Sequence, residues 1–360
     1  MSLIKDYLAQ KLIYENHPTL HSENCLNSIQ TKHHCSICQN LCPHQVFDSE
    51  DPNWDLCDDC EICTTACPVR CIQPSSAYSS KLFEMCRQSK EITTISCNEQ
   101  TDSADIKLSC LAALPWEFLA FLAIESDVHL HCHACEMCEK KALLEQFNDT
   151  LHKVSDFLGD VHCQKHIHKI TSQKDITSVS YTRREAFTML FSKSKVAIGN
   201  LLPDFEELPP DTILWKKLLL HRIKHTEPPI ETTWKIPSFM EDCSACGLCV
   251  KTCPVQALHR LPDENNRNRW FMALIPWRCT GCNLCSQICP DKGISFSQNT
   301  PIKDAKKPIL HSISMTACKR CGQPMPQTKD KKRHEQSQNV DDNTQLCARC
   351  RGELRKTIIW

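Results

Sequence analysis

The sequence predicts an α+β chain with cysteine-rich modules toward both ends, a small α/β unit and a helical connector between them, and a short cysteine-paired tail. Three observations carry this expectation. First, 28 cysteines in 360 residues, beside only 7 glycines and 4 tyrosines, lie far from globular usage. Second, the cysteines recur at short spacings in four blocks, 25–71, 97–138, 243–289 and 318–350, whereas 139–242 holds only Cys163. Third, β-like runs alternate with apolar helical patterns in the middle of the chain.

So many cysteines imply either a secreted disulfide scaffold or a metal protein. The N-terminal stretch "MSLIKDYLAQKLIYENHP" has no apolar run of signal-peptide length and no twin arginine. A cytoplasmic location is therefore expected, where thiols stay reduced and cysteines two or three apart read as metal ligands. The longest nearly apolar run, residues 111–124, has 14 residues and contains Pro115 and Glu117. A membrane span needs about 20, so a buried helix is expected and no membrane span. The formal charge is −1, and each oxidised cubane held by four thiolates adds about −2. An acidic loaded protein is not expected to have nucleic acid as a partner.

Residues 1–24 are expected to form an N-terminal helix, followed by a cysteine module over 25–75. Here "DLCDDCEICTTACP" has the full C-x2-C-x2-C-x3-C-P spacing in Cys57, Cys60, Cys63 and Cys67, whereas "KHHCSICQNLCP" offers only Cys35, Cys38 and Cys42. In such motifs three closely spaced thiolates wrap one cubane, and the fourth serves the neighbouring cluster. Cys42 would then join Cys57, Cys60 and Cys63, while Cys67 would join Cys35 and Cys38. Lys32 stands where a further cysteine is needed. Cys25 is the favoured fourth ligand because clusters prefer thiolate and the intervening loop closes at little entropic cost. His33 or His34, or an open corner, is the alternative. Cys71 is expected to be a small buried apolar residue.

Residues 80–160 suggest a small α/β redox domain. "ITTISC" and "DIKLSC" are β-like runs ending in Cys97 and Cys110. "PWEFLAFLAIE" is an apolar helix started by Pro115, and "DVHLHCHACEMC" leads to Cys132, Cys135 and Cys138. Cysteines at the C-terminal ends of parallel strands lie where open α/β sheets collect their sites. This stretch resembles the iron-sulfur delta subunit of methyl-viologen-reducing hydrogenases. The resemblance implies a [2Fe-2S] or other cluster that passes electrons to a partner, with zinc as the alternative metal. His129, His131 and His133 are weaker candidate ligands. Cys86 and Cys163 are expected to be structural.

A helical connector is expected over 161–235. The preceding helix shows a 3.6-residue period through Leu144, Phe147, Leu151, Val154 and Leu158, closed by Gly159. Further helices are expected near 181–203 and through "DTILWKKLLLHRIKH".

Over 236–300 the full motif occurs twice, as Cys243, Cys246, Cys249 and Cys253, then Cys279, Cys282, Cys285 and Cys289, each followed by proline. This resembles the bacterial two-cluster ferredoxin family. By that resemblance one [4Fe-4S] cluster takes Cys243, Cys246, Cys249 and Cys289, and the other takes Cys279, Cys282, Cys285 and Cys253. The 25-residue gap between the motifs reads as two short strands around a polar turn. Residues 25–75 then look like a second ferredoxin-like 2[4Fe-4S] module.

The tail, 312–360, places Cys318, Cys321, Cys347 and Cys350 as two C-x2-C knuckles separated by 25 residues. Four thiolates on two knuckles suit tetrahedral zinc, and the tail resembles a zinc ribbon, with a rubredoxin-like single iron as alternative. Its basic run, Lys329 to Arg333, is expected to be a solvated loop.

No nucleophile with a paired base and no phosphate-binding or flavin fingerprint stands out. The expectation is an electron-transfer protein with four [4Fe-4S] clusters, a further cluster in the middle domain and one zinc. Its partners would be a donor and an acceptor redox protein, in anaerobic metabolism and within a larger oxidoreductase complex. A catalytic or redox-sensing role for the middle domain is the alternative.

Overall fold

The computed structural model describes residues 17–29, 35–48, 51–87, 91–100, 103–172, 214–224, 233–266, 268–296, 299–301, 308–327, 346–347 and 350. The chain forms two compact units, 1–234 and 235–360. The helix expected at 181–203, the histidines His33 and His34, and the basic run at 329–333 lie outside the described residues.

In the first unit a two-residue strand β1 (Thr19–Leu20) pairs antiparallel with β2 (Ile72–Gln73), closing the ends of the N-terminal cysteine module. Between them lie three short helices, α1 (Leu26–Ile29), α2 (Ile37–Leu41) and α3 (Ile62–Ala66). The last two end at Cys42 and Cys67, both in extended backbone. Each cysteine precedes a proline, whose ring excludes helical backbone from the residue before it. The chain therefore turns outward at the cysteine.

Helix α4 (Ser76–Arg87) leads into a four-stranded parallel sheet of order β4-β3-β5-β6. Its strands are β3 (Ile92–Cys97), β4 (Ile106–Leu108), β5 (Asp127–His131) and β6 (Ile167–Ile170). Ile95, Val128 and Leu130 are fully buried in its centre, as expected for a sheet covered on both faces. Helix α5 (Trp116–Ala123) starts after Pro115 and is buried at every residue from Glu117 onward. Helix α6 (Leu144–Leu158) stops at Gly159, whose φ of 84° suits a residue without Cβ. Helix α7 (Asp160–His166) follows, and α8 (Leu214–Lys224) packs on α5 with Phe118 and Trp215 edge to face at 5.0 Å.

Strand β6 falls inside the segment expected to be a helical connector. Four residues are too few to show a period of their own, and β6 gains its pairing only from β5, in register Val128↔Ile167 to His131↔Ile170.

The N-terminal module and the sheet domain pack as one body. Thr65 donates to the Ala112 carbonyl at 3.0 Å and Tyr78 to that of Ala113 at 2.6 Å. Arg70 donates through one nitrogen to both oxygens of Glu117, at 3.0 and 2.9 Å, and Glu117 is only 1% exposed.

In the second unit β7 (Ser238–Phe239) pairs with β10 (Ile294–Ser295), and α9 (Leu248–Thr252) packs beside α10 (Leu284–Gln287). The expected hairpin between the motifs is β8 (Leu258–Pro262) with β9 (Arg269–Leu274). From the tail, β11 (Ile309–Ala317) adds to β9 over six residue pairs, and β12 (Pro324–Pro326) adds to β11. The tail therefore shares an antiparallel sheet with the C-terminal cysteine module, a long-range pairing invisible to local pattern. No helix among the described residues is long and apolar enough to cross a membrane.

Candidate metal centres

Backbone geometry repeats from motif to motif. In the three complete motifs the third and fifth positions, Asp59 and Glu61, Ala245 and Gly247, Gly281 and Asn283, all have positive φ. Left-handed backbone of this kind turns the chain tightly enough to aim successive thiols at one point. Three residues after each exchanged cysteine the turn recurs, at Gln45, Arg70, Gln256 and Lys292, with φ between 49° and 57°. Gln45 shows that the incomplete motif keeps the exit turn of a complete one. The next amide points back at sulfur: Ala257 N–H donates to Cys253 Sγ and Gly293 N–H to Cys289 Sγ, each at 3.2 Å. These amide donors escaped the sequence reading, although aligning the internal repeats on their cysteines would have exposed the shared offset.

In the second unit the thiols gather across the two motifs. Cys243 and Cys249 feel the charges of Cys246 and Cys289, and burial pushes Cys249 up to about 12. These four line one cleft with Pro290. Cys285 feels Cys279, Cys282 and Cys253, and Cys282 feels Cys253. Glycine at 293 is required, because a Cβ there would stand 2.6 Å from Cys243 Cα. That close approach carries the end of the second motif onto the first.

The N-terminal module repeats the arrangement. Cys63 feels Cys60, Cys57 and Cys42, and burial pushes Cys60 up to about 12. Around Cys38, pushed up to about 11 mainly by burial, stand Cys67, Cys35 and Cys25. Cys25 thus lies near this group and beside Cys71. Its loop is tied down by Asn27, whose side-chain amide both donates to the Cys35 carbonyl and accepts from the Cys35 amide. Cys71 is buried as expected, yet it is not an inert apolar residue: its Sγ lies 3.4 Å from Cys67 Sγ. This contact pulls the Cys67 thiol down and pushes Cys71 up, which makes Cys67 the better thiolate of the two.

In the middle domain Cys97, Cys110, Cys135 and Cys138 line one cleft at the C-terminal edge of the parallel sheet, with Lys140 on its wall. Cys132 lies beside this cleft, its Sγ donating to the Leu130 carbonyl at 3.3 Å. It also hydrogen-bonds Cys135, which lowers Cys135 to about 7 and raises Cys132. His129 stacks edge to face on His168 at 5.0 Å, and burial followed by His168 lowers its pKa. The His131 carbonyl accepts from Gln100. His129, His131 and His133 join no close-set metal group among the described residues. Cys163 is half-buried on α7; Cys86 lies on α4.

The tail differs in scale. The sulfurs of Cys318, Cys321, Cys347 and Cys350 all lie within 4.8 Å of one another, near the spacing of about 3.8 Å expected round a single tetrahedral metal with bonds of about 2.3 Å. This group can hold one metal ion. Among the described residues no other three cysteines gather so closely; the only other close group is His17, Cys57 and Asp59. In the C-terminal module two sulfurs, those of Cys253 and Cys289, accept backbone amides, and donors of this kind stabilise the thiolate form that binds iron.

No curated protein sequence matches the chain. Residues 242–294 match the family model of the 4Fe-4S dicluster domain. The chain thus carries an iron-sulfur module of the electron-transfer type, able to hold at least one [4Fe-4S] cluster and to engage redox partners.

Proposed function

We propose that the protein relays single electrons between a donor and an acceptor redox enzyme through four [4Fe-4S] clusters and a further cluster in the middle domain. The observation that supports this reading, an exchange of cysteines between motifs, is the nearness of thiols from different motifs: Cys289 beside Cys243 and Cys249, and Cys42 beside Cys57 and Cys63. Such exchange holds two clusters close together in one small fold. When bound, the clusters supply one-electron redox chemistry. The chain supplies the ligands, the amides that donate to sulfur, and burial, all of which set potentials.

By this reading one N-terminal cluster is held by Cys25, Cys35, Cys38 and Cys67, and the other by Cys42, Cys57, Cys60 and Cys63. The C-terminal pair is held by Cys243, Cys246, Cys249 and Cys289, and by Cys279, Cys282, Cys285 and Cys253. Cys97, Cys110, Cys135 and Cys138 hold the middle cluster, and the resemblance of that domain to the hydrogenase delta subunit supports a [2Fe-2S] or related centre. The tail thiols hold zinc, and the relay works in the cytoplasm within a larger oxidoreductase complex. Anaerobic metal analysis with electron paramagnetic resonance tests the reading. It expects about sixteen cubane irons, a further cluster signal and one zinc; fewer than about eight irons per chain would sink it.

A second reading gives the middle domain a redox-sensing or catalytic role, and the hydrogen-bonded pair Cys132 and Cys135 at the strand end favours it. If Cys132→Ser keeps all iron but abolishes a thiol-dependent activity of the assembled complex, this reading gains over the plain relay.

A further inference from the structure

The middle cleft and the second N-terminal thiol set are joined by a continuous bridge of hydrogen bonds. The backbone amide of Lys140 donates to Cys138 Sγ at 3.4 Å, and its ammonium donates to Asp58 Oδ2 at 3.0 Å. The other oxygen, Asp58 Oδ1, accepts the backbone amide of Cys60 at 3.2 Å. Lys140 lines the same cleft as Cys97, Cys110, Cys135 and Cys138. A second tie runs alongside, from Ser109 Oγ to the Asp59 carbonyl at 3.5 Å. Residues 58 and 140 lie 82 positions apart in the chain, so only the packing of the N-terminal module on the sheet domain brings them together.

The charges are as specific as the path. Half-buried Asp58 takes hydrogen bonds from Lys140 and the Cys60 amide and faces His44 at 3.0 Å. Lys140 is ion-paired with Asp58 and acts by charge on both Cys60 and Cys110. Lys140 is therefore a fixed cation between two sets of thiolates.

We propose that Lys140 and Asp58 couple the Cys42, Cys57, Cys60 and Cys63 site to the Cys97, Cys110, Cys135 and Cys138 site as one redox unit, with Lys140 the positioning residue that holds both potentials up. This rests on reading both sets as cluster sites. In the coupled step one electron leaves the reduced site and arrives at the oxidised one, with a reduced low-potential protein as the external donor. No bond forms or breaks, and Lys140 keeps its proton throughout. A cation near two centres favours their reduced, more negative states, because a buried charge is weakly screened. The pair also ties the electron path to the interface between the two domains.

The test uses the full-length, anaerobically loaded protein reduced stepwise with dithionite and followed by electron paramagnetic resonance. Lys140→Gln should keep its iron and lower both potentials by about a tenfold change in the reduction equilibrium, about 59 mV for one electron, leaving the C-terminal clusters where they were. Lys140→Arg should restore both values, and Asp58→Asn should move both upward. Full reduction of the unaltered protein should broaden the middle-site signal by magnetic interaction, and in a Cys110→Ser, Cys138→Ser double variant the Cys42, Cys57, Cys60 and Cys63 signal should keep only the broadening due to its neighbour in the module. If Lys140→Gln misfolds, the shift of both potentials in Asp58→Asn decides the matter. Retained iron with neither or only one potential moved, or no broadening in the unaltered protein, overturns the coupling and leaves the cluster assignment standing. If the double variant loses no iron, the reading of the middle site falls, and the coupling with it.

Discussion

Asn27 clasps Cys35 from both sides: its Nδ2 donates to the Cys35 carbonyl at 2.8 Å, and its Oδ1 accepts the Cys35 amide at 2.7 Å. A residue two places after Cys25 thereby ties that stretch to the first cysteine of the incomplete motif, the site that the proposed ligation has Cys25 complete. Position 32, the usual first position, is lysine, and the clasp replaces local spacing with a side-chain tether.

Cys25→Ser should therefore remove about four irons, with the remaining clusters intact by electron paramagnetic resonance. Asn27→Ala should keep the ligand but lower occupancy of the same site. Unchanged iron in Cys25→Ser would move the fourth ligand to His33, His34 or an open corner.

Gly293→Ala places a methyl group 2.6 Å from Cys243 Cα, with backbone on the other side that cannot swing away. Overpacking of this kind costs about 1–3 kcal/mol. The denaturation midpoint of the loaded protein should fall accordingly, with iron lost first from the C-terminal module. Wild-type stability would show that the second motif does not cross onto the first there.

Arg70→Gln strips the buried Glu117 carboxylate of the guanidinium that holds both its oxygens. Breaking one partner of a buried pair destabilises by about 3–5 kcal/mol. Denaturant unfolding of the anaerobic protein should show a loss of that order; a loss below about 0.5 kcal/mol, as for surface substitutions, would mean that water already solvates the carboxylate.

The metal-free protein should respond to alkali in a defined window. Burial raises Cys38, Cys57 and Cys110 from 9.0 to about 11, and Cys60 and Cys249 to about 12. The folded chain keeps these protons longer than the unfolded chain. Their stabilising contribution is then full below about pH 9 and is lost as pH rises through about 11 to 12. Denaturant midpoints of the reduced, chelator-treated protein should be flat from pH 7 to about 9 and fall above it. Midpoints that stay flat to pH 11 would show these thiols to be solvated.

In the tail, Cys347→Ser should lose the one tetrahedral ion and leave iron unchanged, since its sulfur belongs to the close set with Cys318, Cys321 and Cys350. Zinc-to-iron ratios by elemental analysis check this, and hydrogen exchange should show β12 opening before β9. Loss of iron with zinc retained would reverse the assignment.

Much of the thiol chemistry was legible in the sequence because spacing within a motif is local. Three cysteines at gaps of two residues can face one point only through tight left-handed turns, and the prolines after Cys42, Cys67, Cys253 and Cys289 stop each helix at the exchanged cysteine. Strands β3, β4 and β5, each followed by cysteine, were legible for the same reason. The four-residue strand β6 and the joining of β11 to the ferredoxin-type hairpin were not, since both pairings are set by distant partners.

By itself the sequence determined how the cysteines are spaced within each motif, where the helices carrying Cys38 and Cys63 stop, and that strand and helix alternate in the middle of the chain, because each follows from neighbours a few residues apart. Only the tertiary structure decided that Cys25 reaches Cys38, that Cys71 bonds to Cys67 instead of packing inertly, and that Lys140 meets Asp58. Those contacts span from 4 to 82 residues. The two cysteine contacts arise where the module folds back on itself, and the Lys140–Asp58 contact where it packs against the sheet domain and polar groups removed from water find partners in the element opposite.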